Sequence, residues 1–225
     1  NPPALTWDEV SWGYNAYTLG LTGKDEFGRI PVTYLESFGD FKPPVYAYLS
    51  VIPVWIFGLS EFSTRFASAF FGSITVAIVF FLVLEIFYSS DKKKYYALIT
   101  SFLLAISPWH ILLSRAAFEA NIASLFVILG TCIFLFSTRD KKNMRFIIFS
   151  FLCFVLAMYT FNTSRVFLPL FGLFLIYYKR KILIKYWKMV VLSAILPCIL
   201  LVPLALFLVT PQAKLRYEEV NIFSD

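Results

Sequence analysis

FASAFFGSITVAIVFFLVL, residues 66–84, decides the fold class. No charge interrupts the run between Arg65 and Glu85. A helix rises about 1.5 Å per residue, so roughly 20 such residues cross a hydrocarbon core about 30 Å thick. Five more apolar segments follow, and the set runs 64–88, 95–113, 118–137, 145–162, 166–178 and 188–209. The pattern predicts an all-α fold: a polytopic transmembrane bundle of about six helices over 64–209. A structured outer loop with interfacial helices precedes it over 1–63, and the start of another outer segment follows over 210–225. The fifth segment is short and needs its neighbours to cross. The second contains Ser107-Pro108, where proline ends or kinks a helix and Ser107 can cap the half-helix after it.

Composition agrees with a membrane protein. Of 225 residues, 59% are hydrophobic and only 15% charged, against about half and a quarter in soluble domains. A net charge of +6 would raise nucleic acid as a partner in a soluble protein. Here the basic residues cluster in turns between apolar blocks, so topology explains them and nucleic acid is set aside. Cys132, Cys153 and Cys198 lie in apolar runs and form no disulfide or zinc pattern. The chain opens on Asn1-Pro2-Pro3 and ends on a polar stretch. It is expected to be a piece of a longer protein, short of at least one N-terminal span and a C-terminal part.

Orientation follows from the turns. Lys92–Lys94, the 138–145 turn and the 179–188 turn hold twelve of the 20 basic residues. The positive-inside rule assigns these turns to the cytoplasm. Residues 1–63, 107–119, 160–166 and 210–225 then lie outside, with most of the acidic residues. Acidic residues carry little topological weight, so their bias invites a functional explanation.

Thr6-Trp7-Asp8-Glu9 reads as a capping box, with Thr6 as N-cap and Glu9 reaching back to it. A helix from Trp7 to about Leu19 follows, ended by Gly20 and Gly23. Its Trp12 and Ala16 face suits the membrane interface. Glu9 has a structural task in the cap, whereas Asp8 is left for chemistry in the first turn, where the helix dipole favours its ionised form. The bland alternative is an ordinary first-turn acid. Lys42-Pro43-Pro44 launches a short apolar helix up to Gly58 that suits the interface. Lys42 can hold an anion there or snorkel to lipid phosphates.

His110, Arg115 and Glu119 lie at the outer ends of the second and third segments. Ionisable groups near hydrocarbon face a partner or a cavity. Arg115 and Glu119, four apart, can form an intrahelical pair. The single His110 is a candidate acid/base or metal ligand, or a satisfied structural group. Arg165 begins another outer helix end, and with Arg115 and Lys42 it can bind a phosphate.

The order of these pieces resembles a known family. Asp8-Glu9 with Tyr14 and Ala16 is followed by Gly23, Phe27-Gly28, Lys42-Pro43-Pro44, Phe57-Gly58-Leu59-Ser60-Glu61, Arg65, and Ser107-Pro108-Trp109-His110 with Ser114-Arg115. This is similar to glycosyltransferase family 39, C-type (GT-C) membrane glycosyltransferases that include protein O-mannosyltransferases and lipid A aminoarabinose transferases. The resemblance covers the whole chain, and about the N-terminal half of such an enzyme.

It implies transfer of a mannose-like hexose, with inversion, from a polyprenyl-phosphate-sugar donor to a protein, lipid or glycan acceptor outside the cytoplasm. Asp8 and Glu9 take the catalytic positions, and Lys42, Arg115 and Arg165 the donor phosphate. His110 and Glu119 are further candidates. Glu119 stands where the family more often has Asp. Phe41 stands where the aminoarabinose enzymes have an acidic residue implicated in metal binding. No metal site is therefore assigned, and a divalent metal stays an open cofactor. The expected location is a bacterial plasma membrane, with the site on its outer face. The rival reading is a polytopic transporter or lipid flippase without transferase activity, which does not explain a structured outer loop.

An Asp8→Cys side chain is expected to react with an impermeant maleimide on intact cells, and a Lys141→Cys side chain only after permeabilisation. The reverse pattern would rule out an outward site.

Overall fold

The computed structural model describes residues 4–213, so the expectations for Asn1–Pro3 and for Glu218, Glu219 and Asp225 lie outside the described residues. In chain order it contains α1 Trp7–Thr22, β1 Leu35–Ser37, β2 Asp40–Lys42, α2 Val45–Phe57 and α3 Glu61–Ile86. Then come α4 Lys93–Ala105, α5 Pro108–Arg115, α6 Glu119–Ser137, a 3₁₀ turn Asn143–Phe146 and α7 Ile147–Met158. The last helices are α8 Ser164–Tyr178, α9 Arg180–Lys185 and α10 Trp187–Leu208. The fold is a helical, polytopic membrane architecture.

By length and apolarity, α3, α6 and α10 are long enough to cross a membrane, and α4 with α5 makes a fourth crossing if the bent pair is one span. The apolar helices Asn143–Met158 and Ser164–Tyr178 are shorter. Six crossings over 64–209, as proposed from the sequence, require these two as well.

The α4–α5 pair is bent by 56°. Pro108 opens α5, and Ser107 takes the N-cap backbone conformation (φ −66°, ψ 122°). Its side chain makes no capping bond, which corrects the expectation that Ser107 caps the half-helix. Proline alone sets the break, because it lacks the N–H a cap would satisfy and comes with a preset φ.

In the N-terminal region the sequence reading missed a β-hairpin. β1 pairs antiparallel with β2, Leu35 opposite Lys42 and Ser37 opposite Asp40. Its two-residue turn places Phe38 at φ 51° and Gly39 at φ 83°. Two positive φ values in succession are the twist-matched hairpin turn, which glycine accepts and phenylalanine tolerates poorly. The hairpin fixes the direction from which Lys42 enters the site.

A second correction concerns α1. Trp12 and Ala16 are buried in the protein, with Leu19, Leu35, Tyr46, Ala47, Ala67, Ala117 and Ile122. That face packs on α2 and α3 and does not meet lipid. The exposed aromatics of α1 are Trp7, Tyr14 and Tyr17, off the packed face.

Below this outer core, α3 packs against α6 and α4, α6 against α7, and α7 against α10. Gly72 lets α5 approach α3. A Cβ there would stand 2.9 Å from Asn121 Nδ2 and closer still to Ser114 Oγ. On the opposite side, Arg139, just beyond α6, pairs with Glu85 at 2.6 Å.

Gly72→Ala tests this packing. Helix propensity favours alanine by about 1 kcal/mol, whereas overpacking costs about 1–3 kcal/mol. A net fall in thermal midpoint of the full-length protein in detergent is expected; a rise would show that α3 and α5 are not in close contact.

Candidate functional site

The site begins with the start of α1. Thr6 Oγ1 accepts the Glu9 backbone N–H at 3.4 Å, and the Thr6 backbone N–H donates to Glu9 Oε2 at 2.9 Å. The capping box read from the sequence therefore forms. Glu9 does more than cap. Arg65, in the second turn of α3, donates from Nε to Oε1 at 2.7 Å and from Nη2 to Oε2 at 2.9 Å. The Ala117 N–H, in the link between α5 and α6, donates to Oε1 at 3.0 Å. Arg65 also donates to the Ala4 carbonyl at 3.0 Å and lies 3.6 Å from Glu61.

Glu9 is 2% exposed. Burial alone pushes its carboxyl upward. The hydrogen bonds from Arg65, Thr6 and Ala117, with the Arg65 charge, outweigh burial and hold it down at about 2. A carboxylate so fully occupied is a poor proton acceptor. Its place among the catalytic candidates thus becomes a positioning one. It fastens the first turn of α1 to α3 and to the residues after Arg115.

Asp8 points the other way. It forms an ion pair with Lys42, whose side chain is 8% exposed while that of Asp8 is 57% exposed. Lys42 Nζ also lies 5.5 Å from the centroid of the Trp12 ring, a cation–π distance. Asp8 and Trp12 are four residues apart on α1, so one helix face presents both to the ammonium. Trp12 packs on Tyr46 (centroids 5.3 Å apart), and the Tyr46 hydroxyl donates to the Thr64 carbonyl at 2.9 Å. Lys42 is thus a held cation, and Asp8 is its accessible partner.

The hairpin has a second neighbour. Phe41 meets Tyr34 edge-on at 5.2 Å, and Tyr34 stacks on Phe207 of α10 at 4.9 Å. The Arg165 guanidinium lies 5.6 Å from the Phe207 ring, with Nε donating to the Met158 carbonyl at 3.1 Å. A row of rings therefore runs from beside Lys42 to Arg165, and the structure puts the two cations at its ends.

Arg115 and His110 sit elsewhere, in a groove of about 790 Å³ between α3 and α5 that Glu61 and Arg65 also line. His110 Nε2 lies 3.0 Å from the Gly72 carbonyl, a structural bond for that histidine. Arg115 ends α5 and Glu119 begins α6, with Ala116 extended between them. An intrahelical Arg115–Glu119 pair is therefore not available, because two helices replace the one assumed. Among the described residues, no three His, Cys, Asp or Glu side chains gather where they could hold a metal ion.

Sequence reasoning singled out neither Arg65 as the partner of Glu9 nor Trp12 as a wall of the Lys42 site. A signal existed for the first: an arginine at the start of an apolar span needs a partner. For the second there was none, since a tryptophan on an apolar face reads the same whether it meets lipid or a lysine.

A family model described as dolichyl-phosphate-mannose-protein mannosyltransferase matches residues 41–209. No curated protein matches the sequence. Among solved structures, the fold is similar to the apo crystal structure of ArnT from Cupriavidus metallidurans, with a TM-score of 0.67 at 16% identity. The match covers 96% of this chain and 38% of that one, so this chain spans well under half of that protein's length.

Glu9→Gln is expected to destabilise the full-length protein by about 3 kcal/mol, because it removes the buried counter-charge of Arg65 and leaves only the exposed Glu61 at 3.6 Å. Because the folded value, about 2, lies below the ordinary 4.5, the Glu9 contribution is present above about pH 4.5 and disappears as pH falls towards 2. Unfolding midpoints of the wild type should fall across that window, and this part of the fall should be absent in Glu9→Gln.

Proposed function

The chain belongs to the dolichyl-phosphate-mannose-protein mannosyltransferase family, and from that membership we propose that it is the N-terminal part of a GT-C membrane glycosyltransferase that takes its sugar from a polyprenyl-phosphate carrier. The acceptor is a protein, lipid or glycan hydroxyl on the outer side of a bacterial plasma membrane. The observation that carries this reading is the direct Asp8–Lys42 pair on a platform fastened to the first span.

In this reading the acceptor oxygen attacks the anomeric carbon as the bond from that carbon to the carrier phosphate breaks. The hydroxyl proton passes to Asp8, and the phosphate leaves on the lipid. Lys42 lies where its fixed charge can meet the negative charge that grows on the leaving phosphate, an interaction strongest in the transition state. Arg165, at the far end of the ring row, and Arg115, at the groove, are the further cations proposed for the carrier phosphate. His110 and Glu119 have no step in this scheme.

Inversion adds a geometric demand. Nucleophile and leaving group act on opposite faces of the sugar carbon, so the base and the phosphate-binding cation must stand apart with the sugar between them. The Asp8–Lys42 contact is accordingly the resting arrangement, and the donor separates it. Lys42 is enclosed by Trp12 and the hairpin, so the half-exposed Asp8 is the member that moves.

Radiolabelled polyprenyl-phosphate sugar, given to membranes with the full-length protein, tests the reading. Asp8→Asn is expected to lower transfer at least 100-fold, the usual scale for a lost general base, with insertion unchanged. Transfer at the wild-type rate would remove Asp8 from the chemistry. Label that crosses the bilayer but reaches no acceptor would favour a flippase.

A further inference from the structure

The end of the bundle remote from Asp8 holds a second pair of opposite charges, and this one is unfinished. Glu85 and Arg139 meet at 2.6 Å. Glu85 follows Arg65 along α3 by roughly 30 Å at 1.5 Å per residue. Arg139 Nε and Glu85 Oε2 are buried, and neither has a hydrogen-bond partner among the described residues. The Glu9–Arg65 pair differs, because backbone groups complete it. Unmatched buried polar atoms are costly, so the Glu85–Arg139 pair has capacity for a further polar partner.

The pair stands in the wall of an open pocket of about 730 Å³. The end of α3 with the turn after it lines one part, the end of α8 another, and Thr131 and Leu135 of α6 a third. Ile86, Leu135, Phe171 and Phe174 make one region apolar, while Ser89, Ser90, Arg139 and Lys179 make another polar. Phe174 and Phe171 precede Lys179 by about one and two turns of helix. The apolar region is therefore the deeper one, and the polar region lies at the chain turns.

Aromatic rings hold three cations there. The Arg139 guanidinium lies 3.8 Å from the centroid of Tyr88, and Lys93 Nζ lies 4.8 Å from the same ring. Lys179 Nζ lies 4.9 Å from the Tyr178 centroid. Glu85 is the one acid in the lining, against Arg139 and Lys179. Asp91 and Asp140 are the acids of the neighbouring turns, which with the 179–188 turn carry twelve basic residues. Positive charge remains after each of these acids is counted. A free phosphate would meet that charge and leave the apolar region unfilled. A zwitterionic lipid would fill the region and leave the charge unmet. An anionic amphiphile does both.

We propose that this pocket binds the headgroup and upper acyl chain of an anionic phospholipid from the adjacent leaflet, with Arg139 and Lys179 on the phosphate. On the positive-inside expectation this is the cytoplasmic leaflet, whose surface is anionic. Basic pockets between membrane helices on that side suit such headgroups. The site would anchor the ends of α3, α6 and α8 to one another, far from the Asp8–Lys42 pair.

Full-length protein in nanodiscs tests this with phosphatidylglycerol that carries a diazirine near the top of one acyl chain, adducts being mapped by mass spectrometry. Adducts are expected in segments 85–90 and 171–179, at least fivefold above those from phosphatidylcholine with the same label. Unlabelled phosphatidylglycerol should displace them, and inorganic phosphate should not. Lys179→Glu and Ser89→Glu add negative charge from two sides of the pocket, so one reading survives if the other variant fails to insert. Each should lower labelling at least fivefold, the scale of one basic residue beside an anionic leaflet. Equal labelling by the two lipids, adducts only elsewhere, displacement by inorganic phosphate, or labelling unmoved by both variants overturns the assignment. No sugar takes part, so the outcome is separate from the transferase reading.

Discussion

A buried ion pair, Glu9 with Arg65, holds the N-terminal region on the helical bundle. Charges at such depth are costly to desolvate, and a pair recovers the cost only with good geometry and further hydrogen bonds. Both conditions are met here. Arg65 donates twice to the carboxylate, and the backbone of Thr6 and Ala117 supplies the rest. One carboxylate therefore ties together α1, α3 and the link into α6. A hydrophobic contact could hold these elements equally tightly, but it would not set their angular register, because apolar packing has no direction.

The consequence reaches Asp8 through a single peptide bond. With Glu9 fixed inward, the helical turn sends Asp8 outward, towards the hairpin. The hairpin brings Lys42 to meet it, and the Trp12 ring closes the ammonium from the side. Adjacent carboxylates thus reach opposite fates by orientation alone: one is saturated with hydrogen bonds and buried, the other is half-exposed. This division gives the proposed chemistry a rigid support and one movable group.

The membrane part shows the same economy. Gly72 and the Pro108 break let α5 lean on α3, with Ser114 and Asn121 filling the polar gap. The same lean opens the groove below Arg115. A straight, unbroken second span would close both. The bend is thus a source of close packing at one level and of open space at another.

The sequence by itself determined the membrane class, the main helical segments, the capping box at Thr6 and the break at Pro108, because each depends on neighbours in the chain. Hydropathy over 20 residues, a side chain three positions from its cap, and a missing proline N–H are local facts. Only the tertiary structure decided the Glu9–Arg65 partnership, the Asp8–Lys42 contact and the burial of Trp12. Arg65 lies 56 residues from Glu9, and Lys42 lies 34 from Asp8. No local pattern encodes such pairs, since a charge four residues away looks as good as one across the fold. For that reason Arg115 and Glu119 read as one helical pair until the chain was seen to break between them.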